Sequence, residues 1–127
     1  MMKGPRKHGE ESRSKFTALE NHFLNTFFSG LYLSQGDFMS IAKRLGIEIQ
    51  MNTRELQIKE LLNTAYDKGL LAEATSMLSN LIDVRIQSYH RLSMDYPHAR
   101  GILAKLAQKA TGTKNLLARE SRGNPYE

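Results

Sequence analysis

Four histidines, His8, His22, His90 and His98, are the side chains of this 127-residue chain whose ordinary pKa lies near neutrality. They are the first places to look for proton transfer or metal ligation, and their surroundings favour neither. A di-iron bundle needs Glu-x-x-His on two helices, a spacing that sets carboxylate and imidazole on one helical face. The nearest approach here is Asp95 to His98, which occurs once and straddles Pro97. The zinc-protease pattern His-Glu-x-x-His does not occur. The chain has no cysteine, which removes disulfides, thiolate nucleophiles and cysteine metal sites together. Its nine glycines are scattered singly, so neither a phosphate-cradling loop nor Gly-x-Ser-x-Gly is present. The adjacent carboxylates Glu10 and Glu11 sit in a charged terminal stretch, where nothing would move their pKa. No catalytic, cofactor-binding or metal-binding residue is assigned, and a non-enzymatic protein is the expectation.

Cations offer a second kind of chemistry. The formal net charge is +5, and it is unevenly spread: residues 1–15 carry +3, residues 16–96 carry −2 and residues 97–127 carry +4. Basic ends of this kind are a footprint for anionic partners, and more often simply solvated termini. Lys3, Arg6 and Lys7 at one end, with Arg100, Lys105, Lys109, Lys114, Arg119 and Arg122 at the other, are the candidate contacts to a phosphate backbone. Aromatic residues interleaved with them would indicate base stacking, and only Phe16 and Tyr126 qualify.

A third feature is the stretch FLNTFFSGLYL, residues 23–33. On a helix, Phe23, Leu24, Phe27, Phe28, Leu31 and Tyr32 would cover about half the circumference, more than the stripe of about 100° that a surface helix needs. Such a helix is either the centre of the core or one wall of an interface, and aromatic anchors dominate interfaces. These six residues are the candidate protein contact, with a homodimer as the simplest case. The scattered methionines Met39, Met51, Met77 and Met94 suit either gap-filling or an adaptable groove.

The elements that would hold these residues are helical. Apolar residues recur every three to four positions from Phe16 to Ala110. One helix is expected from Phe16 to about Leu33, capped by Ser14 or by the pair Thr17 and Glu20. Ser34 and Asp37 form a capping pair for a second, which Gly46 closes. Ile47, Ile49 and Met51 alternate with polar residues, which reads as an extended link pressing its apolar side on the core. Asn52 and Glu55 resemble a capping box for a third helix, which Gly69 closes. A long fourth helix is expected over about 70–95, with Tyr89 and Leu92 on its core face. Pro97 opens a fifth that buries Ile102, Leu103, Leu106 and Ala110, and Gly112 is expected to end it before a short sixth segment. Residues 37–68 superficially suggest a helix-turn-helix whose Arg54 and Gln57 would meet bases. The interval from Gly46 to Asn52 is longer than the tight turn of that motif, and the second helix is electrically neutral.

The expected architecture is an all-α compact bundle of five to six helices in one domain, residues 14–120. Flexible tails at 1–13 and 121–127 flank it. No apolar run is long enough to span a membrane and the N-terminus lacks a secretory pattern, so a cytoplasmic location is expected. The expected activity is binding: a protein–protein interaction module of the adaptor, secretion-type chaperone or regulatory-subunit kind, without a cofactor. The alternative is a nucleic-acid-binding protein that uses the basic termini and a divergent helix-turn-helix at 37–68.

Overall fold

A computed structural model describes residues 16–121, and within that span it leaves the side chains of Phe27 and Phe28 undescribed. The expected tail 1–13 and residues 122–127 of the other, with Lys3, Arg6, Lys7 and Arg122, lie outside the described residues, whereas Ser121 is helical. The chain forms helices α1 (Thr17–Leu24), α2 (Thr26–Ser29), α3 (Gln35–Leu45), α4 (Arg54–Asp67) and α5 (Leu71–Asp95). A 3-10 turn over Pro97–Ala99 follows, and then α6 (Arg100–Ser121). No strand occurs among the described residues.

Local chemistry explains most of these boundaries. The Ser34 hydroxyl accepts from the Asp37 amide while the Asp37 carboxylate accepts from the Ser34 amide, so the start of α3 is doubly capped. Gly46 ends the helix with φ +72°, a conformation that suits glycine. The cap of α4 is Thr53, whose hydroxyl accepts from the Leu56 amide; Asn52, the expected cap, instead accepts from the Thr53 amide one step outside. The link between α3 and α4 buries Ile47 and Ile49 and leaves Met51 in water. Pro97 stops α5, because the residue before a proline is driven from helical dihedrals: Tyr96 has φ −129° and ψ 76°.

Three expectations are corrected. The apolar segment at 23–33 is not one helix, for Asn25 is extended (φ −116°, ψ 102°) and separates α1 from the single turn of α2. Gly30 then adopts φ +79° and turns the chain away, after which Leu31 and Leu33 are buried and Tyr32 points outward. Thr17 is not the cap of α1, for Phe16 occupies the N-cap position without a side-chain hydrogen bond; Ser14, the other expected cap, lies outside the described residues. Gly112 does not end the last helix, since α6 runs through it to Ser121. Packing of α6 along α5 outweighs the glycine's cost of roughly 1 kcal/mol. Because Gly112 is exposed and a Cβ there would meet nothing within 4 Å, Gly112→Ala should stabilise the protein. About 0.5–1 kcal/mol is expected, raising the thermal midpoint by about 2–4 °C. A midpoint that falls would mean that α6 is not a continuous helix at this point.

The core lies between α1, α3, α4 and the first half of α5, around Leu19, Phe23, Phe38, Ile58, Leu61, Leu62, Leu78 and Ile82. α6 returns antiparallel along α5, so that Lys114 Nζ reaches Asp83 Oδ1 at 2.6 Å. The result is a bundle with a long two-helix hairpin on one side.

Candidate interaction surface

Part of the aromatic segment belongs to the chain's own interior, while Phe27 and Phe28 lie outside the described side chains. Phe23 is 0% exposed and Leu31 is 1% exposed, which withdraws both from the expected protein contact. Leu24 is half-buried against the core, and Tyr32 is exposed with the Arg54 guanidinium 4.2 Å above its ring. The break at Asn25 explains the arginine's position. Ending α1 early leaves its last carbonyls without helical donors. Arg54 Nη2 donates to Phe23 O at 3.4 Å, while its Nε donates to Leu33 O at 2.7 Å. Arg54 therefore closes a structural gap rather than facing outward toward bases. Gln57, its neighbour on the suggested recognition face, is fully buried and donates to Gln50 O. The start of α4 looks into the protein, which removes both proposed base readers of the helix-turn-helix.

A polar junction ties the same segment to the hairpin. The buried Thr113 hydroxyl lies 3.0 Å from Ser29 O and 3.1 Å from Lys109 O, and His22 Nε2 lies 2.8 Å away. A hydroxyl carries one proton; with that proton given to a carbonyl, the imidazole must be the donor at Nε2. Burial pushes the His22 pKa down, which keeps the ring neutral and suits this tautomer. Nearby, the Tyr89 hydroxyl donates to Gly30 O at 2.5 Å. Thr113 and Tyr89 thus fasten the bend at 29–31 to α6 and α5, and His22 ties α1 to α6 at the same junction. His90 and His98 are exposed on the hairpin, and no group of three or more potential metal-ligating side chains forms among the described residues.

Beyond Tyr89 the hairpin leaves the bundle. From Asp83 to Leu106 no residue is buried, and the 3-10 turn touches only α5 and α6. α5 continues six residues past Tyr89 to Asp95, or about 9 Å at the helical rise. Large apolar side chains stand in water here: Met94 is 80% exposed, Ile102 68%, Tyr96 53% and Leu92 41%, while Val84, also exposed, lies nearer the bundle beside Ser40 and Arg44 of α3. Leu92 and Ile102, expected in the core, are thus corrected to the surface. Their stripe continues correctly along each helix, but α1–α4 do not extend far enough to cover it. Leu103 and Leu106, half-buried, join the two helices to each other. Val84, Arg91 and Met94 fall on the half of α5 turned away from its inward row, Leu78, Ile82, Ile86 and Tyr89, whereas Leu92, two residues from Met94, lies nearly opposite it and flanks that row.

The candidate cations divide sharply. Lys114 is paired with Asp83, and Arg85 Nη2 reaches Asp37 Oδ2 at 3.4 Å, so both are used within the fold. Lys109 is half-buried, and its Cβ lies close to the Gly30 bend. Arg119 is exposed near the far end of α6. Arg100 and Lys105 lie on the free end of the hairpin with Arg91, which the division of charge into termini and middle had hidden. None of these three has an ion-pair partner among the described residues, and the carboxylate between them and the tip is Asp95. The concave places elsewhere carry less chemistry. A cleft between α5 and α6 is lined by Ser76, Ser79 and Asn80 with the already paired Lys114, and a shallow apolar groove lies beside Met39, Ile47 and Ile49. No helix among the described residues is long and apolar enough to cross a membrane. In comparisons with known proteins, no family model, no curated protein and no solved structure matches this chain.

Proposed function

We propose that this chain is a non-catalytic protein-binding module whose contact surface is the free end of the α5–α6 hairpin. The observation that carries this reading is the set of exposed Leu92, Met94, Tyr96 and Ile102 on a stretch of the two helices where no residue is fully buried. Water around a large apolar side chain costs about 1.5–3 kcal/mol relative to burial, so several together on a rigid support favour coverage by another surface. Contiguous exposed apolar patches commonly mark interaction sites. The rigid support is visible in the fasteners at the hairpin's base: Tyr89 on Gly30, Lys114 on Asp83, Arg85 on Asp37.

The test compares the tagged full chain with a variant carrying Leu92→Ser, Met94→Ser, Tyr96→Ser and Ile102→Ser, captured under native conditions from the source cell. All four side chains are exposed, so the variant should keep the wild-type circular dichroism spectrum. A protein that copurifies with the wild type should fall at least about tenfold with the variant, the loss expected when roughly 1.4 kcal/mol or more of apolar contact is removed. Leu56→Ser, at an exposed position on α4, should leave capture unchanged. The reading fails if the fourfold variant retains the partner.

A further inference from the structure

We infer that the chain carries a second contact surface, separate from the hairpin end: the groove between α3 and the link at 47–50, which takes a partner's peptide in extended conformation. Gly36, Met39 and Lys43, on one face of α3, form one wall, and Ile47 and Ile49 belong to the other. The space between is about 560 Å3. It offers little side-chain chemistry, so recognition there falls to backbone, which the link supplies. Burial alternates along it, with Ile47 and Ile49 buried and Glu48 and Gln50 exposed, the period of an extended chain. Successive residues of such a chain aim their N–H and C=O groups at opposite edges. The Ile47 amide donates to Ala42 O at 2.8 Å, which sets the edge of Ile47 and Ile49 toward α3. Gln50 O accepts from Gln57 Nε2 at 3.3 Å, which sets the other edge toward α4. On the α3 edge, no hydrogen bond among the described residues engages the Ile49 amide, the Ile49 carbonyl or the Ile47 carbonyl. Ile49 is 7% exposed, and backbone groups so nearly enclosed are almost always paired.

An added strand answers both features at once. Its backbone pairs with Ile49, and its side chains at every second position enter the groove beside Met39. Two strands alone are marginal in water, and packing against α3 supplies the support they need. The chain's own ends hold no such segment. The large apolar residues of 1–15 are Met1 and Met2, adjacent rather than alternate, and 122–127 has Tyr126. The occupant is therefore another polypeptide, with aliphatic residues at alternate positions. A helix would cover the apolar wall but spend its amides internally, leaving Ile49 unpaired. A lipid tail has neither donor nor acceptor to offer.

The experiment uses the 15N-labelled full chain and a synthetic capped peptide of alternating valine and threonine between terminal lysines. Two counterparts are N-methylated, one at every valine and the other at every threonine. The parent peptide should perturb the amides of residues 36–50 and slow hydrogen exchange at Ile49. An added strand turns one alternate set of amides to the link. Methylating that set should lower the affinity at least about tenfold, and methylating the other set should leave it nearly unchanged. Met39→Gln, which keeps the volume and removes the apolar wall, should weaken the parent by about tenfold. Met94→Ser, on the hairpin, should not. The methylated pair decides the matter on the wild-type chain, whatever Met39→Gln does to the fold. No binding of the parent, equal losses from the two methylated peptides, shifts confined to other residues, or unchanged exchange at Ile49 would each overturn the proposal. So would exchange at Ile49 that slows with the chain's own concentration, which would make a second copy the occupant.

Discussion

Replacing Gly30 by alanine should cost about 3 kcal/mol or more and lower the thermal midpoint by about 10 °C. Two separate penalties add at this position. The residue sits at φ +79°, where a Cβ crowds its own carbonyl, a strain of roughly 1–2 kcal/mol. The added carbon would also stand 2.5 Å from Leu106 O and 2.9 Å from the Ala110 amide nitrogen, both backbone atoms of α6. Backbone cannot swing aside as a flexible side chain can, so α6 or the bend must shift. A shift there disturbs the Tyr89 bond to Gly30 O and the Thr113 bond to Ser29 O, which hold the hairpin to the bundle. Gly46 and Gly69 provide the control. Both have φ +72°, yet a Cβ at either would meet nothing within 4 Å, so each alanine should cost only the backbone strain, about 1–2 kcal/mol. Denaturant titration of the three variants gives the comparison directly. Three equal losses would mean that the close approach of the bend to α6 contributes nothing.

The same glycine shows why part of the fold was hard to read from the sequence. Helical periodicity reports which residues share a stripe, and by that criterion residues 16–33 form one rod. The break at Asn25 goes with a tertiary arrangement: Leu31 and Leu33 are buried after the chain turns at Gly30, where the absence of a Cβ lets the backbone of α6 approach closely. Arg54, twenty-one residues past Leu33, then supplies the donors that an early helix end lacks. No local pattern announces a partner so distant in the chain. Where the signals are local, as in the capping box of Ser34 and Asp37, the stop at Gly46 and the break before Pro97, the sequence reading and the structure coincide. Gly112 marks the opposite limit. A lone glycine is a weak stop, and the long contact with α5 carries α6 through it.

The candidate surface was missed for a related reason. The period that makes Leu78 and Ile82 a core face leads on to Leu92, and nothing in the spacing records where the neighbouring helices run out. The signal that was available is length. A 25-residue α5 extends about 38 Å, whereas α3 has 11 residues and α4 has 14, so their combined cover could not reach its end. Charge division by terminus hid the site as well, since it placed Arg91 with the neutral middle and Arg100 with the basic end. The hairpin brings the two stretches together.

Phe23→Ala separates the two roles that an aromatic-rich segment can have. Phe23 is fully enclosed, among the largest wholly buried side chains, in contact with a core that includes Leu19, Phe38 and Leu61. Truncating a buried phenylalanine removes its transfer free energy and leaves a cavity, together about 3–5 kcal/mol. Against a typical total of 5–15 kcal/mol that is a large fraction of the stability, so the variant should unfold in much less denaturant. Phe23→Leu, which keeps most of the volume, should cost about 1 kcal/mol. The oligomeric state, followed by light scattering over a concentration series, should not change in either. A dimer seam built on this segment predicts the reverse: a shift toward monomer with the stability of each subunit little altered. Phe23 is the residue on which those two accounts diverge most, because its burial is complete within one chain and leaves no surface for a second copy to touch.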